Sequence, residues 1–140
     1  MKEADQHREG PARALVVFSS NVSLPYLKLF KRGFRHCFVM LPQNEEGTSW
    51  ISCDPLSNHM EIAIHHIADD FNLHDWLSRR GCTVISAPVY HGHKRPAPTM
   101  LFTCVEVVKR VLGIHKFTIF TPWQLYCHLK KQNNNQHIGV

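Results

Sequence analysis

Three residues of this chain carry side chains that could do thiol chemistry together: Cys104, His36 and Asp54. Thr103 and Glu106 bracket the cysteine at the spacing of a capping box, in which a hydroxyl accepts from the third backbone N–H and a carboxylate reaches back to the cap. Cys104 would then be the first residue inside a helix. There the unpaired N–H groups and the positive end of the helix dipole favour a thiolate. A cysteine is more commonly a small core residue, so the thiol needs a base, and the base needs a group that holds its tautomer. His36 and Asp54 can supply both from a hairpin. Strands over His36–Pro42 and Ser49–Asp54 flank a turn that contains Gly47. Closure about Glu45 sets His36 opposite Asp54, Cys37 opposite Cys53, Phe38 opposite Ser52 and Met40 opposite Trp50. Asp54 would accept from one ring nitrogen and leave the other for the Cys104 sulfur. The Cys104 N–H, free at the helix start, is a candidate oxyanion-hole donor. Cys37 is a poor rival nucleophile, because adjacent strand residues point to opposite faces.

The elements that must position these groups follow from pattern. Val105, Val108 and Val111–Leu112 recur at helical spacing, with Glu106, Lys109 and Arg110 on the other side, and Gly113 ends the helix as a left-handed cap. Ala14–Ser20 reads as a buried strand, Met60–His66 as a third alternating strand and Thr83–Val89 as a further one. Asn72 with Asp75 starts a helix that Gly81 closes. Leu24–Phe30 reads as a short helix or irregular segment, and Tyr90–Pro98 as a loop. Lys116–Phe120 is a short β-like run. Thr121, Pro122 and Gln124 then form a second helix start with its own capping box. Strands followed by a mixed second half predict an α+β domain over residues 14–131, with loose termini over 1–13 and 132–140.

Composition bounds the function. The 140 residues are 44% hydrophobic and 19% charged, which suits one globular domain with a real core. No apolar run approaches the ~18 residues of a membrane span. The polar start carries no signal-peptide core, and five cysteines at irregular spacing do not form a secreted disulfide framework. A reduced, cytoplasmic setting with all thiols free is expected. The net charge of +5 is spread over scattered pairs of basic residues without a nucleic-acid motif, so no nucleic-acid partner is predicted. Eleven histidines raise the question of metal. His65–His66 are adjacent and His91 and His93 are two apart, and neither spacing is that of a zinc motif. No metal or cofactor is predicted. His91 and His93, just upstream of the cysteine helix, are candidates for lining a substrate cleft together with Ser52.

Three stretches in order carry a resemblance: Gly33-Phe34-Arg35-His36-Cys37, Trp50-Ile51-Ser52-Cys53-Asp54 and Thr103-Cys104-Val105-Glu106. They resemble the papain-like NlpC/P60 superfamily, in its circularly permuted branch where the histidine precedes the cysteine. The likeness extends over roughly residues 34–129 and is strongest to small bacteriophage-associated members. It implies an antiparallel sheet packed on the nucleophile helix and a thiol hydrolase acting at an amide or peptide bond. Cys104 is then the nucleophile, His36 the base and Asp54 the third member, with Ser52 as the fallback. It also implies a peptide or amide substrate, with peptidoglycan as one source, and a virion-associated alternative to the cytoplasm. Two other readings stand beside it: a papain-like scaffold without turnover that binds phage structural proteins, and a thiol acyltransferase or esterase.

Overall fold

The computed structural model describes residues 12–20, 31–56, 59–90 and 103–136. Five strands, β1 (Arg13–Ser19), β2 (His36–Pro42), β3 (Ser49–Pro55), β4 (Met60–His66) and β5 (Thr83–Pro88), form one antiparallel sheet in the order β4-β3-β2-β1-β5. Helix α1 (Leu73–Arg79) precedes β5, and α2 (Cys104–Leu112) and α3 (Pro122–Gln136) follow it. The chain is thus mixed α+β. Both faces of the sheet are covered at β1, which explains its unbroken apolar run. Ala14, Val16 and Phe18 join Cys37 and Val39 beneath α2 and α3. Val17, on the other face, packs with Met40, Leu73 and Leu77 beneath α1. The larger core is closed by Val105, Val108 and Leu112 from α2 and by Leu125 and Leu129 from α3. Each such fully buried side chain contributes about 1.5–3 kcal/mol of transfer free energy.

The hairpin register departs from the expected one. Val39 faces Cys53, Met40 faces Ser52 and Pro42 faces Trp50, a shift of two residues. The cause lies in the turn, where Asn44 Oδ1 accepts from the N–H groups of Thr48 and Ser49 while Gln43 N–H donates to the Ser49 carbonyl. That side-chain clasp centres the loop beyond Glu45. A shift of two leaves every side chain on its own face, whereas a shift of one would have exchanged the faces.

Several helix boundaries follow from the caps. Asn72 accepts from Asp75 N–H at the head of α1, and Gly81 just beyond it has φ +84°. Thr121 accepts from Gln124 N–H while Gln124 Oε1 accepts from Thr121 N–H, the complete box expected for α3. At α2 only half the box forms: Thr103 Oγ1 accepts from Glu106 N–H at 3.3 Å, and Glu106 turns away to bind Lys109 and Arg110. Glu106 and Lys109 are buried, not solvated, because the segment after α2 folds over them and Lys109 also donates to the Ile119 carbonyl. That segment is therefore a turn rather than the β-like run expected over Lys116–Phe120. Helix α3 continues past residue 131, where a loose tail was expected, and Asn133 anchors it by donating to the Ser86 carbonyl at 2.8 Å. The run Leu24–Phe30 lies outside the described residues. Gly113 caps α2 at φ +73°, close against Tyr90: a Cβ added there would lie 2.5 Å from the Tyr90 carbonyl oxygen.

Candidate active site

Cys104 is the first residue of α2, as its cap requires, and the N–H groups of the first turn point away from the helix ladder. The helix packs chiefly on β2, and its first turn meets the end of the sheet where β2 begins. His36 is the first residue of β2. By alternation it belongs to the α1 face with Phe38 and Met40, yet at the strand's start its ring also meets the Cys104 thiol. Its Nε2 lies 2.6 Å from Asp54 Oδ1. The two-residue register shift makes the two residues diagonal neighbours across the hairpin, within reach on one face. Nε2 is taken by the carboxylate, so Nδ1 is the nitrogen left for the sulfur.

Asp54, and not Ser52, is the group that meets His36; the Ser52 Oγ lies 2.8 Å from His65 Nε2. His91 and His93 lie outside the described residues. Trp50 and Trp123 pack as partly buried aromatics, and Trp76 stands at a rim.

Cys37 is the residue whose part was missed. Its side chain points to the α2 face, where it was expected to pair with Cys53. Cys53 instead faces Val39 across the ladder, and its thiol contacts Met60 Sδ at 3.5 Å. Cys37 meets Cys104, and its thiol and backbone both hydrogen-bond the Cys104 sulfur. The signal was present in the pattern: an inward strand residue next to His36 must lie under whatever element presents the nucleophile.

The electrostatics follow from these contacts. The Cys104 thiol is lowered from 9.0 to about 5, first by the hydrogen bond from Cys37, against the opposing effect of burial, and then by the hydrogen bond and charge of His36. Burial alone would lower His36, but the bonds to Asp54 and Cys104 outweigh it and raise the imidazole to about 9. Between those values the pair is a thiolate beside an imidazolium. Cys37 moves the other way, well above the ordinary thiol value, because it is wholly buried and sits beside the thiolate and Asp54. It serves as a donor and stays protonated. All five cysteines are free.

Below Asp54, between α1 and the sheet, lies a cavity of about 330 Å³ walled by Met40, Leu73, Trp76 and Leu77, with Ser52 and Asp54 at one end. Among the described residues no group of three or more His, Cys, Asp or Glu side chains is placed to hold a metal ion, and no helix is long and apolar enough to cross a membrane. Compared with known proteins, the chain matches no family model, no curated protein and no solved structure.

Proposed function

We propose that the chain is a thiol hydrolase acting at an amide or peptide carbonyl, with Cys104 as nucleophile, His36 as acid and base and Asp54 as the residue that orients His36. The fold this implies is the papain-like NlpC/P60 arrangement in its permuted order. The observation that carries the reading is the 2.6 Å contact between His36 Nε2 and Asp54 Oδ1 at the head of β2, beside a Cys104 that opens α2 and whose thiol is lowered by its neighbours.

The chemistry follows from the protonation states. The sulfur of Cys104 attacks the carbonyl carbon, and the N–H of Cys104 at the helix start is the candidate donor to the developing oxyanion. The imidazolium of His36 passes its Nδ1 proton to the leaving nitrogen, so the amine departs neutral and a thioester remains on Cys104. The now neutral imidazole takes a proton from water, whose oxygen attacks the thioester. The carboxylic acid departs and the thiolate–imidazolium pair is restored. Asp54 holds the ring throughout and stabilises its charged form.

The test is a small activated ester, p-nitrophenyl acetate, followed by mass spectrometry of the quenched protein. An acetyl group on Cys104 that is absent from the Cys104→Ala variant, and that accumulates in Asp54→Asn, is the expected result. An acetyl group distributed over several cysteines, or none on Cys104, would leave the chain a scaffold without turnover.

A further inference from the structure

The cavity under α1 has three properties that a packing defect lacks. It is open, with a rim formed by Phe71 and Trp76, two aromatic rings left about 40% exposed with centroids 6.1 Å apart. At about 330 Å³ it falls at the small end of small-molecule sites, which run from about 300 to 1,000 Å³. Its polar groups are gathered rather than scattered: Ser52, Asp54, Glu61 and His65 all line it, and the first three lie on neighbouring strands of one sheet face. Ser52 is buried and already bonded to His65, which leaves Asp54 and Glu61 as the groups with acceptor capacity to spare. His36 engages only Oδ1 of Asp54, and a carboxylate has about four lone-pair sites. The nearby cations are His36, which holds Oδ1 of Asp54 and leaves Glu61 as the second carboxylate, and Arg80, which lies over the Trp76 ring at 4.0 Å from its centre.

We propose that this cavity is a recognition pocket for an apolar group that carries a protonated amine, with the apolar body among Met40, Leu73, Leu77 and Trp76 and the ammonium at Asp54 and Glu61. An apolar body matches the lining, and a cationic head matches two carboxylates that would repel an acid. The pocket shares Asp54 with the His36 relay, and Phe38 on its wall lies 6.5 Å, centroid to centroid, from the His36 ring. The occupied pocket therefore abuts the His36–Asp54 pair. That the ligand is part of the substrate rests on Cys104 being the nucleophile; that the cavity takes such a group does not.

The probe is phenethylammonium, compared with 2-phenylethanol and 3-phenylpropionate, each titrated into the intact chain while tryptophan fluorescence and calorimetric heat are read. Phenethylammonium is expected to saturate with a Kd of about 1 mM or tighter, the alcohol about tenfold weaker and the carboxylate weaker still. Glu61→Gln, at a partly solvent-exposed position of edge strand β4, should weaken the ammonium several-fold and leave the alcohol unchanged. Equal binding of ammonium and carboxylate, an ammonium affinity indifferent to Glu61→Gln, or no saturation by 10 mM ammonium (a ceiling set about tenfold above the expected Kd) would overturn the proposal. The same titration on Cys104→Ala separates the two readings. Binding retained there, with a Cys104 that titrates as an ordinary thiol in the parent, removes the catalytic reading and keeps the pocket. An activated Cys104 with no ammonium binding does the reverse.

Discussion

Replacing His36 by alanine should convert a pH-flat thiol into a pH-dependent one, and the size of the change can be worked out in advance. With Cys104 at about 5, roughly 90% of it is thiolate at pH 6, whereas a thiol at the ordinary 9.0 would be about 0.1% thiolate. That is nearly a thousandfold in reactive species. A thiolate four units less basic is also intrinsically slower, by about 40- to 100-fold for a Brønsted slope of 0.4–0.5. The two effects nearly cancel at neutral pH, so a rate at pH 7 alone decides nothing. At pH 6 the parent should still alkylate about ten to twenty times faster than an ordinary thiol, and its rate should be flat from pH 6 to 8. His36→Ala removes two of the four influences that lower Cys104, the imidazole bond and its charge, and leaves both contacts from Cys37. A rise of about two units is expected, which cuts the thiolate at pH 6 to about a tenth of the protein and lets the rate climb through pH 7. Iodoacetamide labelling with peptide mass spectrometry reads this directly. Cys37, Cys53 and Cys82 are all raised and stay protonated at low pH. A parent rate that climbs tenfold per unit from pH 5 to 8, or identical profiles in parent and variant, would refute the thiolate–imidazolium pair.

Hydrolytic activity should follow a bell with limbs near 5 and 9: it is lost as pH falls through the thiol's value, and lost again as pH rises through that of His36, which acts as the proton donor. Asp54→Asn removes the strongest influence raising His36, so the basic limb should move toward lower pH while the fold is kept, as a pH–rate profile with circular dichroism would show. Cys37→Ala removes the thiol hydrogen bond that most lowers Cys104 and should raise the alkylation midpoint of Cys104 without abolishing labelling; no movement would mean the buried thiol is packing alone. Lys109→Ala leaves the Glu106 carboxylate buried without its closest partner and should cost about 3–5 kcal/mol in urea unfolding, whereas a matched loss below ~1 kcal/mol would mean water reaches Glu106.

What the sequence made legible divides by the range of the interactions involved. Local chemistry was readable: the caps at Asn72, Thr103 and Thr121 and the left-handed Gly113 each depend on a few neighbouring residues, and each helix starts or stops where they place it. The alternation along β2 and β3 was readable too, and it placed His36 and Asp54 on one face. The register was not, because it depends on how the Asn44 side chain folds back on Thr48 and Ser49. The pairing of His36 with Asp54 survived that error only because the shift was even. Glu106 and Lys109 read only as the side of the helix opposite its apolar stripe, and their burial was not legible, since it depends on the turn that carries Ile119, which has no periodic signature. Cys37 was weighed only as a rival thiol, and its contact with Cys104 went unread because that contact joins residues far apart in the chain.

Gly113 gives the site an unexpected point of vulnerability. The helix that presents the thiol is nine residues long, a rigid rod of about 13 Å at 1.5 Å per residue, and its far end is seated against the Tyr90 carbonyl with no room for a methyl group. An alanine there must displace either the Tyr90 backbone or the helix, and a shift or tilt of the helix is carried along the rod to Cys104. A misplacement of about 1 Å is enough to cost a hundredfold in a reaction that depends on alignment. A substitution at the opposite end of the helix would thus disturb the Cys104 thiol without touching it. In a mutational survey the position would look catalytic while touching nothing that reacts.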